Sequence, residues 1–105
     1  MKDRYYIYIL RCEDKSLYTG IAKDYKDRYK KHLDGTGAKY TRARKPAKIE
    51  RVWSTRGRSA ASKVECLLKK STRLQKEDFI KTPDLLKFRV EEKLGIELEE
   101  VELKF

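Results

Sequence analysis

A short hairpin with strong β propensity near the start of the chain is the feature that most limits how it can fold. Tyr5 to Leu10 is a run of aromatic and β-branched residues with apolar side chains on both alternating faces, which is typical of a central strand. Glu13 to Ser16 is a polar turn, and Leu17 to Ala22 returns as a second strand. Tyr8 and Tyr18 are then expected to face the same side of the sheet.

Length and cysteine content point to one small domain in a reducing compartment. A second core within 105 residues would not bury enough apolar surface to offset its chain entropy. Cys12 and Cys66 are far apart and neither belongs to a Cys-x-x-Cys motif, so both are expected to be free thiols. There is no apolar signal region at the N-terminus and no apolar run long enough to span a membrane. We therefore expect a cytoplasmic protein.

The net charge of +10 lies entirely in the first half of the chain. Residues 1–58 contain 17 Lys and Arg against 7 Asp and Glu, whereas residues 59–105 contain 10 of each. A field of one sign on a small domain attracts a polyanion, and nucleic acid rewards it through counterion release. The alternative is a basic surface that serves only solubility. We expect DNA as the partner, with RNA as the other nucleic acid that fits.

A helix and a cationic loop follow the hairpin. Asp24 is a helix N-cap and Gly35 a C-cap signal, which predicts a helix from Tyr25 to Asp34. Arg28 and His32 are four positions apart and share one face of it. Two glycines and Pro46 then bracket a segment that we predict to be a loop contacting phosphates. Its candidate nucleic-acid-binding residues are Lys39, Tyr40, Arg42, Arg44 and Lys45.

The second half predicts one further strand, two helices and an edge segment. Ile49 to Thr55 is the third strand, and Ser59 caps a helix whose apolar stripe leaves Glu65 at its edge. Thr82 and Pro83 open a last helix that ends at Gly95. The segment from Ile96 to Phe105 alternates with a phase break at Glu99-Glu100, which predicts a bulged edge strand.

The polar residues on these elements suit hydrolysis of a phosphodiester. That reaction needs a base for water, positive charge on the non-bridging oxygens and help for the leaving oxygen. Phenols, a guanidinium, an imidazole and a carboxylate supply these functions, and the candidates are Tyr8, Tyr18, Arg28, His32 and Glu65. Each also has a structural explanation: core packing for the tyrosines, a solvated helix face for Arg28, a surface or cap position for His32 and an ion pair with Lys69 for Glu65.

At these residues the chain resembles the GIY-YIG nuclease superfamily, especially its small single-domain members. The resemblance rests on Tyr6-Ile7-Tyr8, on Tyr18-Thr19-Gly20, and on the Arg, His and Glu that follow. It extends to the run Gly37-Ala38-Lys39-Tyr40-Thr41-Arg42 with Pro46 after it, and to Ala61, Glu65 and Lys69 at spacings of four.

The resemblance implies an α+β fold with a small three-stranded antiparallel sheet flanked by helices. It also implies that the single Glu65 carboxylate holds Mg²⁺ or Mn²⁺. Residues 1–81 would form the nuclease-like part, and residues 82–105 would add a C-terminal helix and an acidic, strand-like extension to the same domain.

The function that follows is a metal-dependent endonuclease acting on DNA, with selectivity for branched, flapped or damaged structures in repair or recombination. Tyr18, helped by His32 and Tyr8, would orient or deprotonate water. Arg28 would steady the phosphate, and Glu65 would hold the metal opposite the leaving oxygen.

Two alternatives stay open. Ile21 stands where some repair nucleases of the superfamily have Lys, and the chain has no Asn, which favours a nucleic-acid-binding module that cuts poorly or not at all. Residues 91–105 contain six Glu and two Lys, so this acidic extension also suits a protein partner or the basic half of a second copy.

Overall fold

The computed structural model describes residues 3–103 and has the predicted α+β fold. Its sheet is antiparallel, with the strand order β2-β1-β3-β4. The elements in chain order are β1 (Arg4–Cys12), β2 (Leu17–Ala22), α1 (Tyr25–Leu33), α2 (Lys39–Ala43), β3 (Pro46–Arg56), α3 (Arg58–Lys70), α4 (Arg73–Lys81), α5 (Asp84–Leu94) and β4 (Glu99–Val101).

The two faces of the sheet carry different cores. On one face Ile7, Ile9 and Trp53 pack against α3, α4 and α5 through buried residues such as Val64 and Leu68. On the other face, Tyr8, Leu10 and Val52 form a cluster with Tyr25 of α1, and Tyr18 packs against it. The apolar residues on both faces of β1 therefore identified a central strand, as predicted.

Local capping signals account for most of the helix boundaries. The Asp24 carboxylate accepts from the backbone N–H groups of Lys26 and Asp27, which confirms the predicted start of α1. Gly95 ends α5 in the left-handed conformation, with φ +64°, as a C-terminal glycine does. Two predicted caps are wrong: α3 starts after Gly57 without a side-chain cap from Ser59, and Thr82 ends α4 while Pro83 precedes α5.

Two segments are helical where the sequence predicted none. Lys39–Ala43, expected to be a loop, forms α2 because Thr41 is buried and its hydroxyl donates to the Ala38 carbonyl. Arg73–Lys81 forms α4, whose capping box joins Thr72 and Gln75.

The acidic extension adds a fourth strand to the edge of the sheet. Of the described residues of the extension, Glu99–Val101 pair with β3, and the register runs from Ser54 opposite Glu99 to Val52 opposite Val101 without a shift. The predicted bulge at Glu99-Glu100 is therefore wrong, and the last two residues of the predicted segment lie outside the described part of the chain.

Within residues 3–103, no helix is both long and apolar enough to cross a membrane.

Candidate active site

The hairpin places the two motif tyrosines on one face of the sheet. Tyr8 lies opposite Gly20 and Leu10 lies opposite Tyr18 in the register of β1 and β2. The rings of Tyr8 and Tyr18 have centroids 6.5 Å apart, and both side chains belong to the cluster under α1. The expectation that they share a face is confirmed.

A buried hydrogen-bond chain links β1, α1 and α2. The Tyr8 hydroxyl lies 3.0 Å from His32 Nε2, and His32 Nδ1 lies 2.6 Å from Thr41 Oγ1. Thr41 Oγ1 donates in turn to the Ala38 carbonyl at 3.0 Å. The side chains of Tyr8, His32 and Thr41 are all buried, with His32 only 1% exposed.

This chain assigns the protons on His32. A threonine hydroxyl has one hydrogen, and Thr41 gives it to Ala38, so Thr41 must accept from His32 Nδ1–H. In a neutral imidazole the other nitrogen, Nε2, is then an acceptor. Tyr8 therefore donates to His32 Nε2, and the lone pairs on the phenolic oxygen stay available to another donor.

The electrostatics of the site favour the neutral forms of both groups. Burial, the larger cause, and the charge of Arg28 together lower the pKa of His32 to about 4. The pKa of Tyr8 is raised to about 12, mainly by burial and also by Tyr18, while Arg28 opposes the rise. Since Arg28 acts on both groups, α1 brings its guanidinium to the same site as the Tyr8–His32 pair.

Two glycines allow this close packing. A Cβ on Gly20 would lie 2.5 Å from the Tyr8 hydroxyl oxygen, and a Cβ on Gly37 would overlap His32 Nδ1. Gly20 is the glycine of the second tyrosine motif, and Gly37 begins the run that contains Thr41. Both positions need glycine because the ring of Tyr8 or of His32 occupies the space that a side chain would fill.

A stack of side chains forms one wall beside Tyr18. The Tyr18 ring packs edge-on against His32 at 5.2 Å and stacks on Tyr40 at 5.6 Å between centroids. The Arg44 guanidinium lies over the Tyr40 ring at 4.7 Å and is paired with Asp14 at 3.2 Å. Tyr40 and Arg44, predicted to bind nucleic acid, thus also contact the protein itself.

The other three predicted phosphate contacts are exposed. Lys39 and Arg42 project from α2, and Lys45 follows it, directly before β3. In sequence Lys39 directly precedes Tyr40, whose ring stacks on Tyr18, and Arg42 directly follows the buried Thr41.

Glu65 lies at the margin of the α3 stripe, as predicted. Its side chain is 22% exposed and pairs with Lys69 at 3.5 Å, and its charge contributes to the raised pKa of Tyr8. Within residues 3–103 there is no group of three or more His, Cys, Asp or Glu side chains suited to holding a metal. One carboxylate does suit Mg²⁺ or Mn²⁺ when water and a substrate phosphate supply the other oxygen ligands, so Glu65 fits a substrate-shared metal.

The structure thus brings Tyr8, Tyr18, Arg28 and His32 together, with Glu65 close enough to act on Tyr8. Sequence reasoning gave no role to Thr41. The signal that was present is its place in the run from Gly37 to Arg42, which is part of the resemblance to the GIY-YIG superfamily.

Comparison with known proteins agrees with this geometry. Residues 4–78 match the GIY-YIG catalytic domain. The chain belongs to the GIY-YIG family. The resemblance stated from the motifs is therefore confirmed, and the matched region contains all five candidate catalytic residues.

Similar GIY-YIG proteins occur in several bacteria. The UPF0213 protein of Fusobacterium nucleatum is 52% identical over 80 residues, which cover 76% of this chain and 80% of that protein. The UPF0213 protein of Streptococcus sanguinis is 46% identical over 81 residues, which cover 77% of this chain and 93% of that protein. The solution NMR structure of a UPF0213 protein from Bacillus halodurans is 40% identical, with a TM-score of 0.49, and the match covers 74% of this chain and 83% of that one.

Proposed function

We propose that this protein is a metal-dependent endonuclease that hydrolyses DNA, with a role in repair or recombination. The observation that carries the proposal is the buried chain from Tyr8 through His32 to Thr41, beside Tyr18 and Arg28. Phosphodiester hydrolysis needs a group that accepts a proton from water, and the hydrogen-bond chain from Tyr8 to Thr41 is oriented to accept it.

The proton route follows from the hydrogen bonds. Water donates to the phenolic oxygen of Tyr8, and as it attacks phosphorus its proton moves to that oxygen. The proton of Tyr8 moves at the same time to His32 Nε2, so His32 becomes an imidazolium whose Nδ1–H still binds Thr41. Tyr8 thus takes the role that the sequence suggested for Tyr18, which lines the site beside it.

Substrate binding makes this transfer easier. Arg28 disfavours a positive charge on His32, and burial does so more strongly. A phosphate that binds Arg28 brings negative charge close to His32. This charge offsets the positive charge of the guanidinium and raises the proton affinity of the imidazole. Arg28 also donates to a non-bridging oxygen and stabilises the charge that grows there during attack.

Glu65 would hold the metal. Mg²⁺ or Mn²⁺ bound there would neutralise charge on the phosphate and its leaving oxygen. Lys39, Arg42 and Lys45 would contact neighbouring phosphates, and Tyr40 and Arg44 would form the wall that the DNA meets. Because Cys12 and Cys66 are free thiols, we assign this activity to the cytoplasm.

A metal-dependent cleavage assay tests the proposal. Wild type, Tyr8→Phe and Tyr18→Phe would be compared under single-turnover conditions on duplex, branched, flapped and single-stranded DNA, with Mg²⁺ and with excess chelator. We expect Tyr8→Phe to lower cleavage by about 10² or more while DNA binding persists, and Tyr18→Phe to lower it less. Binding without cleavage of any substrate by wild type would favour the alternative, a nucleic-acid-binding module with the same fold.

The acidic extension has partners within its own chain. Glu99 pairs with Arg4 at 3.2 Å and Glu100 with Arg51 at 3.2 Å. A homodimer or protein complex through this extension stays a prediction, and it requires an edge of β4 that is free to pair. Sedimentation of the protein over a range of concentrations tests it.

A further inference from the structure

A second cationic surface lies on the helical side of the sheet, opposite the face of Tyr8 and His32. It is a groove of about 550 Å³ between α3 and α5, with Ser71 and Gln75 also in its lining. Among residues 3–103, four cations and no carboxylate line it. These cations are Lys63, Lys70, Arg89 and Lys93. Among the described residues, none of the four has an ion-pair partner within 4.0 Å.

The counts of acidic and basic residues in the second half of the sequence do not reveal this cationic groove. Residues 59–105 contain equal numbers of acidic and basic residues, so the formal net charge of this half is zero. In the fold, however, Glu99 and Glu100 lie in β4, where they pair with arginines of β1 and β3. The cations of α3 and α5 are left together in the groove, where their fields add.

The groove also has an apolar floor that continues into a neighbouring hollow. Leu67 and Leu94 line the groove, and Gln75 and Arg89 belong to both spaces. The hollow measures about 220 Å³, and its apolar lining is Phe79, Leu85 and Phe88, with Asp78 and Glu92 in the same lining. Phe88 is 61% exposed and Leu85 is 44% exposed, which is unusual for large apolar side chains that lie close together.

We propose that this surface binds an acidic peptide segment of a partner protein. Carboxylates of the segment meet the four cations, and one apolar or aromatic side chain enters the hollow beside Phe88. Lys63 and Lys70 are seven residues apart on α3, or about 10 Å, which matches three to four residues of extended peptide.

The lining favours a peptide over a nucleic acid. Bases of a single strand bind by stacking on aromatic rings, and no aromatic side chain is among the described residues that line the groove itself. The exposed Phe88 and Leu85 gain nothing from phosphates, whereas an apolar peptide side chain would remove their surface from water.

Fluorescence anisotropy with a labelled synthetic peptide tests the proposal. The probe alternates Asp and Leu and ends in Phe, and a second probe has Lys in place of Asp. We expect the acidic probe to bind wild type and the basic probe not to bind. The double variant Lys63→Glu, Lys93→Glu should weaken binding by about tenfold or more, and Phe88→Ala by about fivefold.

A matched control separates the groove from the overall charge. Arg58 and Lys81 are exposed cations outside the groove, so the double variant Arg58→Glu, Lys81→Glu changes the net charge by the same amount. Binding of the acidic probe should change by less than about twofold in this control. Thermal melts would establish that all variants fold.

Three outcomes would overturn the proposal. The first is no binding of the acidic probe to wild type, and the second is equal loss in the groove variant and the control. The third is that wild type binds a single-stranded oligonucleotide, and the groove variant loses this binding but still binds the peptide. That result would assign the groove to nucleic acid. None of these results depends on whether the protein cleaves DNA.

Discussion

Thr41 Oγ1 accepts a 2.6 Å hydrogen bond from His32 Nδ1, and this contact sets which nitrogen of the site's imidazole is free to receive a proton. His32 is the only histidine in the chain, so its protonation can be followed without ambiguity. Because Thr41 belongs to α2 and His32 to α1, the catalytic proposal depends on how these two helices pack.

Removal of the Thr41 hydroxyl should change the tautomer of His32. Thr41→Val keeps the shape but leaves the buried Nδ1–H without an acceptor, so we expect it to lower the free energy of unfolding by about 1–3 kcal/mol. Cleavage should fall by about tenfold or more, and Thr41→Ser should restore both. Nitrogen-15 NMR of the single imidazole reads the tautomer directly. An unchanged Nδ1–H tautomer in Thr41→Val would show that Thr41 does not set it.

Acid should destabilise the protein through His32 before other groups contribute. The folded pKa of His32 is about 4, while the unfolded side chain has the ordinary value of 6.5, so the unfolded state takes up a proton first as the pH falls. Stability is therefore full above pH 6.5 and is lost toward pH 4. Burial is the main cause, and we expect a loss of up to about 2 kcal/mol between pH 6.5 and 4.5.

Denaturant unfolding at several pH values measures this effect. The carboxylate of Glu77, held by Arg11 and Arg73, has a pKa lowered to about 2, so its contribution is lost only below its ordinary value of 4.5. The window above pH 4.5 isolates His32 from it. His32→Gln should flatten the slope of stability against pH in this window. An equal slope in wild type and variant would contradict the assignment.

Binding to duplex DNA should lose salt dependence when the exposed cations near α2 are removed. Lys39, Arg42 and Lys45 are exposed and form no ion pair with another described residue, so changing all three to Ala should reduce the slope of log affinity against log salt by about 3. Arg44→Ala should reduce it less, because Arg44 is already paired with Asp14. The measurement is a titration with DNA at several salt concentrations. An unaltered slope in a folded triple variant would indicate that DNA binds to another face of the protein.

Glu65→Gln should separate metal binding from stability. The ion pair with Lys69 is partly exposed, so its loss should cost only a few tenths of a kcal/mol. Cleavage with Mg²⁺ should nevertheless disappear, together with any rise in melting temperature that Mn²⁺ causes in wild type. Lys69→Gln breaks the same pair and keeps the carboxylate, so it serves as the control. Mg²⁺-dependent cleavage by Glu65→Gln would remove the metal role from this residue.

Much of the fold was readable from the sequence because its signals are local. Alternation and β propensity identified the strands that contain Tyr8 and Tyr18, and the Asp24 cap identified the start of α1. Helical spacing placed Arg28 and His32 on one face. The capping box of Thr72 and Gln75 is equally local, so α4 was within reach of the same reasoning, although the prediction omitted it.

The sequence by itself determined the hairpin, the helix that carries Arg28 and His32, and the motif that identifies the family. Only the tertiary structure decided that Lys39–Ala43 is helical, since a five-residue segment cannot offset the entropy of helix formation without burying Thr41. It also decided the proton positions on His32, because Tyr8 and Thr41 are 24 and 9 residues away in sequence. The physical reason is that hydrogen bonds between distant residues depend on strand register and helix packing, which no local pattern contains.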